Sequence, residues 1–189
     1  EKINNKWSNA QTFCGPVISI PYTTTQVNPD NKTTIQEHLL NITPENLNIT
    51  TQLFPEERYY GIYKTILYKS EIDITGNFDK INFPKPENSI IHWEQAYLSI
   101  GVSDLRGITE NIDFKLDNKQ LSVEATGNLD TQIGKMLVMP LKNTDPLMFS
   151  QPQTFNCKLK LNGSSNINFI PIGKTTKVHV TGNWKSPGF

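Results

Sequence analysis

The sequence predicts an all-β fold, an antiparallel sandwich or pair of packed sheets, with a short N-terminal helix. Three observations predict it. Short apolar segments are separated by turn-forming residues and show few helical periods. From Arg58 to Phe78 apolar and polar residues alternate with a period of two. Hydrophobic residues make up only 36% of the 189 residues, and mean hydropathy is negative. That balance suits antiparallel sheets with one wet face better than continuously apolar parallel strands.

The elements follow in order. Ile3, Trp7 and Ala10 are spaced as one stripe of a helix, and the helix is expected to break at Gly15-Pro16. Val17–Tyr22 reads as a strand and Val27–Thr34 as a loop. Strand-like segments lie at His38–Ile42 and Leu47–Leu53. The alternation of Tyr60, Ile62, Ile66, Tyr68, Ile72, Ile74 and Phe78 indicates one long strand from Arg58, bent near Lys69-Ser70, with one face buried. Phe83-Pro84-Lys85-Pro86 interrupts the chain before a strand at Trp93–Val102. Ser103–Gly107 is a turn in which Asp104 bonds neighbouring N–H groups and Gly107 takes a positive φ. Ile112–Leu116 and Leu121–Ala125 form a hairpin about Asp117-Asn118-Lys119. Gly127–Gln153 holds a short helix or a wandering loop. Strands at Phe155–Leu161, Ile167–Ile170 and Lys177–Thr181 close the chain, the first two joined by a turn at Asn162–Ser165.

Composition excludes some functions. Eighteen acidic residues balance eighteen basic ones, and only Arg58 and Arg106 are arginines. Nucleic-acid binding, which needs clustered cations against phosphate charge, is not expected. No apolar run approaches the ~18–20 residues that span a bilayer, and no signal peptide is evident. Cys14 and Cys157 are the two cysteines. Either they pair, closing a loop of about 140 residues worth up to ~5 kcal/mol, or they remain buried thiols.

Catalytic and metal motifs are weak. His38, His92 and His179 are scattered, without partners at ligand spacing. Ser103 lacks the Gly-x-Ser-x-Gly elbow of an α/β-hydrolase. The single glycines make no phosphate loop. The chain is therefore expected not to be an enzyme, and to hold no metal or cofactor. Tyr60, Tyr68 and Phe78 share the phase of the buried face. Arg58, Tyr59 and Tyr63 fall on the other, which is either a partner-binding patch, since Tyr and Arg are enriched in binding hot spots, or a face covered by a second sheet. Ser103, Asp104 and Arg106 form the second candidate interaction surface.

Several segments carry a resemblance. Gln11-Thr12-Phe13 with Gly15-Pro16-Val17-Ile18 and Pro21-Tyr22, Glu57-Arg58-Tyr59-Tyr60-Gly61-Ile62-Tyr63, Leu98 to Ile108 with its Gly-Val-Ser-Asp-Leu-Arg-Gly core, and Leu159 to Ser164 occur in the order found in the CreD inner-membrane family. Phe169 to Gly173 and Trp184 to Phe189 continue the series. The chain resembles that family from about Gln11 to Phe189. Tyr60 stands where the family usually has Arg, and Gly188 where Ser is common.

The resemblance implies residues 1–12 as a short helix after a membrane anchor lying outside the sequence. Residues 13–189 are then one β-rich extracytoplasmic domain, cut before its C-terminal end, with further membrane helices beyond. It implies an inner membrane protein with this part in the periplasm, and a link to envelope integrity, the CreBC two-component system, colicin tolerance and β-lactam exposure. The expected function is a non-catalytic periplasmic domain acting through contacts with envelope proteins. The alternatives are a lipid- or small-amphiphile-binding module near the membrane and, further off, an envelope-polymer hydrolase.

Overall fold

The structure, a computed structural model, describes residues 10–81, 83, 86–128, 134–142 and 146–183. Two mostly antiparallel sheets pack face to face. The first is built from strands β1 (Gln11–Val27), β2 (Thr33–Ile42), β5 (Ser89–Ile91), β6 (Tyr97–Val102), β9 (Ala125–Asn128), β10 (Lys135–Pro140) and β12 (Ile167–Phe169). The second contains β3 (Asn46–Tyr60), β4 (Tyr63–Phe78), β7 (Asp113–Leu116), β8 (Lys119–Leu121), β11 (Gln153–Ser164) and β13 (Thr175–Gly182), in the order β13-β3-β4-β11-β7-β8. The pairs β1–β12 and β3–β13 are parallel. Among the described residues no helix is long and apolar enough to cross a membrane.

The second sheet follows the period of two closely. On β11, Phe155, Cys157, Leu159 and Leu161 are buried while Thr154, Asn156, Lys158 and Lys160 are exposed. On β4, Ile72 and Ile74 turn inward and Lys69, Glu71 and Asp73 turn outward. Leu47 and Ile49 of β3 join them against Phe13, Ile18, Leu98, Ile100 and Val102 of the first sheet. Burying such a side chain fully contributes about 1.5–3 kcal/mol relative to exposure, so this shared core sets how the sheets pack.

The structure departs from the sequence expectations at identifiable places. Ile3 and Trp7 of the expected N-terminal helix lie outside the described residues, whereas Gln11 and Thr12 open β1. Gly15-Pro16 does not separate two elements. β1 runs through it, with a shifted register between Cys14 and Val17 where it pairs with β6. The long strand expected from Arg58 is two strands. Tyr60 pairs with Tyr63, and Gly61-Ile62 forms a two-residue turn with Gly61 at φ +59°. That places a glycine at the position of a tight hairpin turn that requires positive φ.

Smaller differences follow. Trp93–Gln95 is a single 3-10 turn before β6. Asn162–Ser164 belongs to β11, and the reversal comes at Ser165, whose φ is +67°. Leu121 ends β8, and Ala125 begins β9 in the other sheet. Gly127–Gln153, expected to hold a short helix or a loop, contains β10 and a 3-10 turn at Pro146–Ser150. The two cysteines are free thiols on different sheets, Cys14 on β1 and Cys157 on β11.

Candidate functional site

Two structural groups contain the six candidate surface residues. The first is the β3–β4 hairpin. Register fixes its faces, because directly opposed residues of an antiparallel pair point the same way. Arg58 opposes Thr65 and Tyr59 opposes Lys64, so Tyr63, two residues before Thr65, lies on the Arg58 face and Tyr59 lies on the other. The expected single face of Arg58, Tyr59 and Tyr63 is thus corrected: the turn at Gly61-Ile62 divides it between both sides of the hairpin. The side chain of Tyr60 lies outside the described residues. Tyr68 and Phe78 are buried, as their phase indicated.

The end of this hairpin is apolar and open to solvent. Tyr59 is 66% exposed, Ile62 90% and Tyr63 73%. Immediately behind it is a charged collar. Arg58 Nη2 reaches Glu56 Oε2 at 2.7 Å, and Lys64 Nζ reaches Glu57 Oε1 at 2.6 Å. The hydrogen bond from Lys64 to Glu57 raises the lysine pKa. These pairs are solvated and add little stability. Sequence reasoning missed Ile62 because its phase matched the buried residues of β4. A glycine followed by one residue between two strand-like segments was the available signal for the hairpin.

The second group joins Ser103, Asp104 and Arg106 to the start of β1. Asp104 caps the 3-10 turn Leu105–Gly107, accepting from Arg106 N–H at 3.1 Å. Its carboxylate also takes the Arg106 guanidinium, with Nη2 to Oδ2 at 2.7 Å. That pairing raises the arginine pKa. Ser103 Oγ accepts from Thr12 N–H at 2.9 Å and lies 3.0 Å from the Ala10 carbonyl, to which it donates. Gln11, which is fully buried, donates from Nε2 to the Asp104 carbonyl at 3.0 Å and the Asn162 carbonyl at 3.2 Å. The capping role of Asp104 agrees with the sequence expectation. Gly107 does not take a positive φ and lies buried in the 3-10 turn instead. Gln11 was not singled out, because its partners lie 93 and 151 residues away.

The histidines are not brought together in a cluster. Thr24 Oγ1 meets His38 Nε2 at 2.8 Å, and Thr23 Oγ1 meets His92 Nε2 at 3.2 Å. His92 Nδ1 also lies 3.5 Å from Glu94, its neighbour across an exposed 3-10 turn. His179 sits on β13 opposite Thr50. Among the described residues no group of three or more His, Cys, Asp or Glu is arranged to hold a metal. A shallow groove on the outer face of the second sheet is lined by Glu71, Asp73, Glu110, Asp113, Lys158 and Lys160. Lys160 spans it, 3.0 Å from Glu110 and 3.6 Å from Glu71. The arrangement neutralises charge across a solvated strand face.

A family model described as "Inner membrane protein CreD" matches residues 1–189. The chain is 26% identical over 192 residues to the inner membrane protein CreD of Escherichia coli (strain K12), covering 100% of this chain and 42% of that relative. It therefore spans less than half the relative's length. No solved structure matches it.

Proposed function

The chain belongs to the CreD family of inner membrane proteins, and from that premise we propose that it forms a non-catalytic domain on the periplasmic side of the membrane, serving the envelope by contact. The observation that carries this reading is the β3–β4 hairpin, which holds Tyr59, Ile62 and Tyr63 in solvent beyond its own ion-paired collar. Side chains of that kind gain most when another surface covers them. The polar candidates at Ser103, Asp104 and Arg106 are engaged in bonds that fasten the chain to itself, which supports a structural use for them.

The test uses the full-length protein in cells, with a photo-crosslinking residue in place of Tyr63 or, as a control, of Asn156 on the outer face of β11. The contact reading expects adducts at position 63 and none at 156. Absence of adducts at position 63 overturns it. A membrane-impermeant thiol reagent applied to Asn156→Cys in intact spheroplasts tests the sidedness, with labelling expected only if the domain is periplasmic.

A further inference from the structure

We propose that the end of the β3–β4 hairpin inserts into the headgroup region of the bilayer that anchors the protein. The proposal rests on the contact reading above and names the partner as lipid.

Two-residue hairpin turns are normally polar, with Gly, Asn or Asp supplying positive φ. Gly61 meets that requirement here at φ +59°. Ile62 is 90% exposed, so packing among the described residues does not account for its apolar side chain.

Tyr59 and Tyr63 lie on opposite faces of the hairpin, with Ile62 at its end. A flat protein partner would cover one face. A fluid interface surrounds both faces and the end together. Tyrosine is favoured at that depth, where its ring is apolar and its hydroxyl stays wet. Arg58 and Lys64 sit one step behind, where long cationic side chains reach phosphate headgroups. Glu56 and Glu57 beside them neutralise part of that charge, so the apolar end contributes more than the collar.

The hairpin also projects beyond its neighbouring strand. Past the end of β11, Ser165 N–H bonds the Ile66 carbonyl, and Ile66 lies opposite Glu57 of β3. From Glu57 to Tyr60 the strand continues by roughly 10 Å at ~3.3 Å per residue, so the turn stands beyond the backbone that pairs with β4.

The experiment uses the full-length protein in a Cys14→Ala background, reconstituted into vesicles of phosphatidylethanolamine and phosphatidylglycerol. The environment-sensitive dye NBD is attached at Ile62→Cys or, separately, at Asn156→Cys. The expected result is a blue-shifted emission at position 62, largely lost when doxyl-labelled phosphatidylcholine is added, with no loss at position 156. Equal and unquenched emission at both positions overturns the proposal. If position 63 then crosslinks to protein in cells, the contact reading stands with a protein partner. If it crosslinks to nothing, both fail.

Discussion

Gln11 and Asp104 bind each other through two opposed hydrogen bonds, the Gln11 amide nitrogen donating to the Asp104 carbonyl at 3.0 Å and Asp104 N–H donating to Gln11 Oε1 at 3.3 Å. The side-chain amide therefore pairs with backbone as a neighbouring strand would. It fastens the start of β1 to the 103–107 turn and, through Asn162, to β11. Replacing it by Leu keeps much of the volume but removes its hydrogen bonds to the Asp104 and Asn162 carbonyls and from Asp104 N–H, each worth about 0.5–1.5 kcal/mol. Gln11→Leu is expected to lower the urea midpoint clearly, and an unchanged midpoint would refute the pinning role.

Asp104 and Arg106 are expected to contribute unequally. The Asp104 carboxylate caps a backbone N–H and is mostly shielded, whereas Arg106 is exposed. Asp104→Ala should cost about 0.5–2 kcal/mol, the range for a lost cap, and Arg106→Ala less than about 1 kcal/mol, as for a surface pair. Equal losses in chemical denaturation would contradict this ordering.

Gly163 has no space for a methyl group. A Cβ there would lie 2.2 Å from the Tyr68 hydroxyl oxygen and 3.0 Å from Gln11 Cγ. The Tyr68 hydroxyl donates to the Asn166 carbonyl at 2.7 Å, so it cannot yield without losing that bond. Gly163→Ala should destabilise by about 1–3 kcal/mol, the cost of overpacking. Tyr68 Cζ would also lie only 2.5 Å from that Cβ, so adding Tyr68→Phe, which removes the oxygen alone, is not expected to restore stability.

Thr51 offers the opposite case. Its Oγ1 is buried in the second sheet and has no hydrogen-bond partner among the described residues. Thr51→Val replaces the hydroxyl by a methyl group of similar shape and is expected to stabilise by about 1 kcal/mol. A raised midpoint with an unchanged slope in urea is the predicted readout, and a lowered midpoint would point to a buried water at that hydroxyl.

Burial raises the Cys157 thiol from its ordinary 9.0 to about 12, with Asp113 and Asp73 adding in the same direction. Between those values the unfolded thiol has lost its proton while the folded one keeps it. The folded state then binds more protons, so stability is full below about pH 9 and falls as pH rises through the window. Burial raises Tyr68 as well, from 10.0, and Cys14 from 9.0, so the lower part of the decline belongs to the two thiols, of which Cys157 is the more deeply buried. Cys157→Ala should flatten the decline between about pH 8 and 10, and an unaltered slope would assign it elsewhere.

The sequence alone determined the β-rich class, the inward and outward faces of β4 and β7, and the family. Those properties reside in local alternation and in ordered motifs. Ile72 and Ile74 against Glu71 and Asp73 declare their faces because one side of that sheet meets water. Tertiary structure decided the reversal at Gly61-Ile62, where the glycine was the one local sign of a turn. The inward residues of β3, such as Ile49 and Leu53, carry odd numbers, while those of β4, such as Tyr68 and Ile72, carry even ones. A two-residue turn changes that parity, and Tyr60 and Ile62 happen to match the later phase, so periodicity ran on through a point where the chain turns back. Structure also decided the roles of Gln11 and Ser103. A polar side chain becomes a fastening only when distant backbone is brought to it, and no local pattern records a partner 93 residues away.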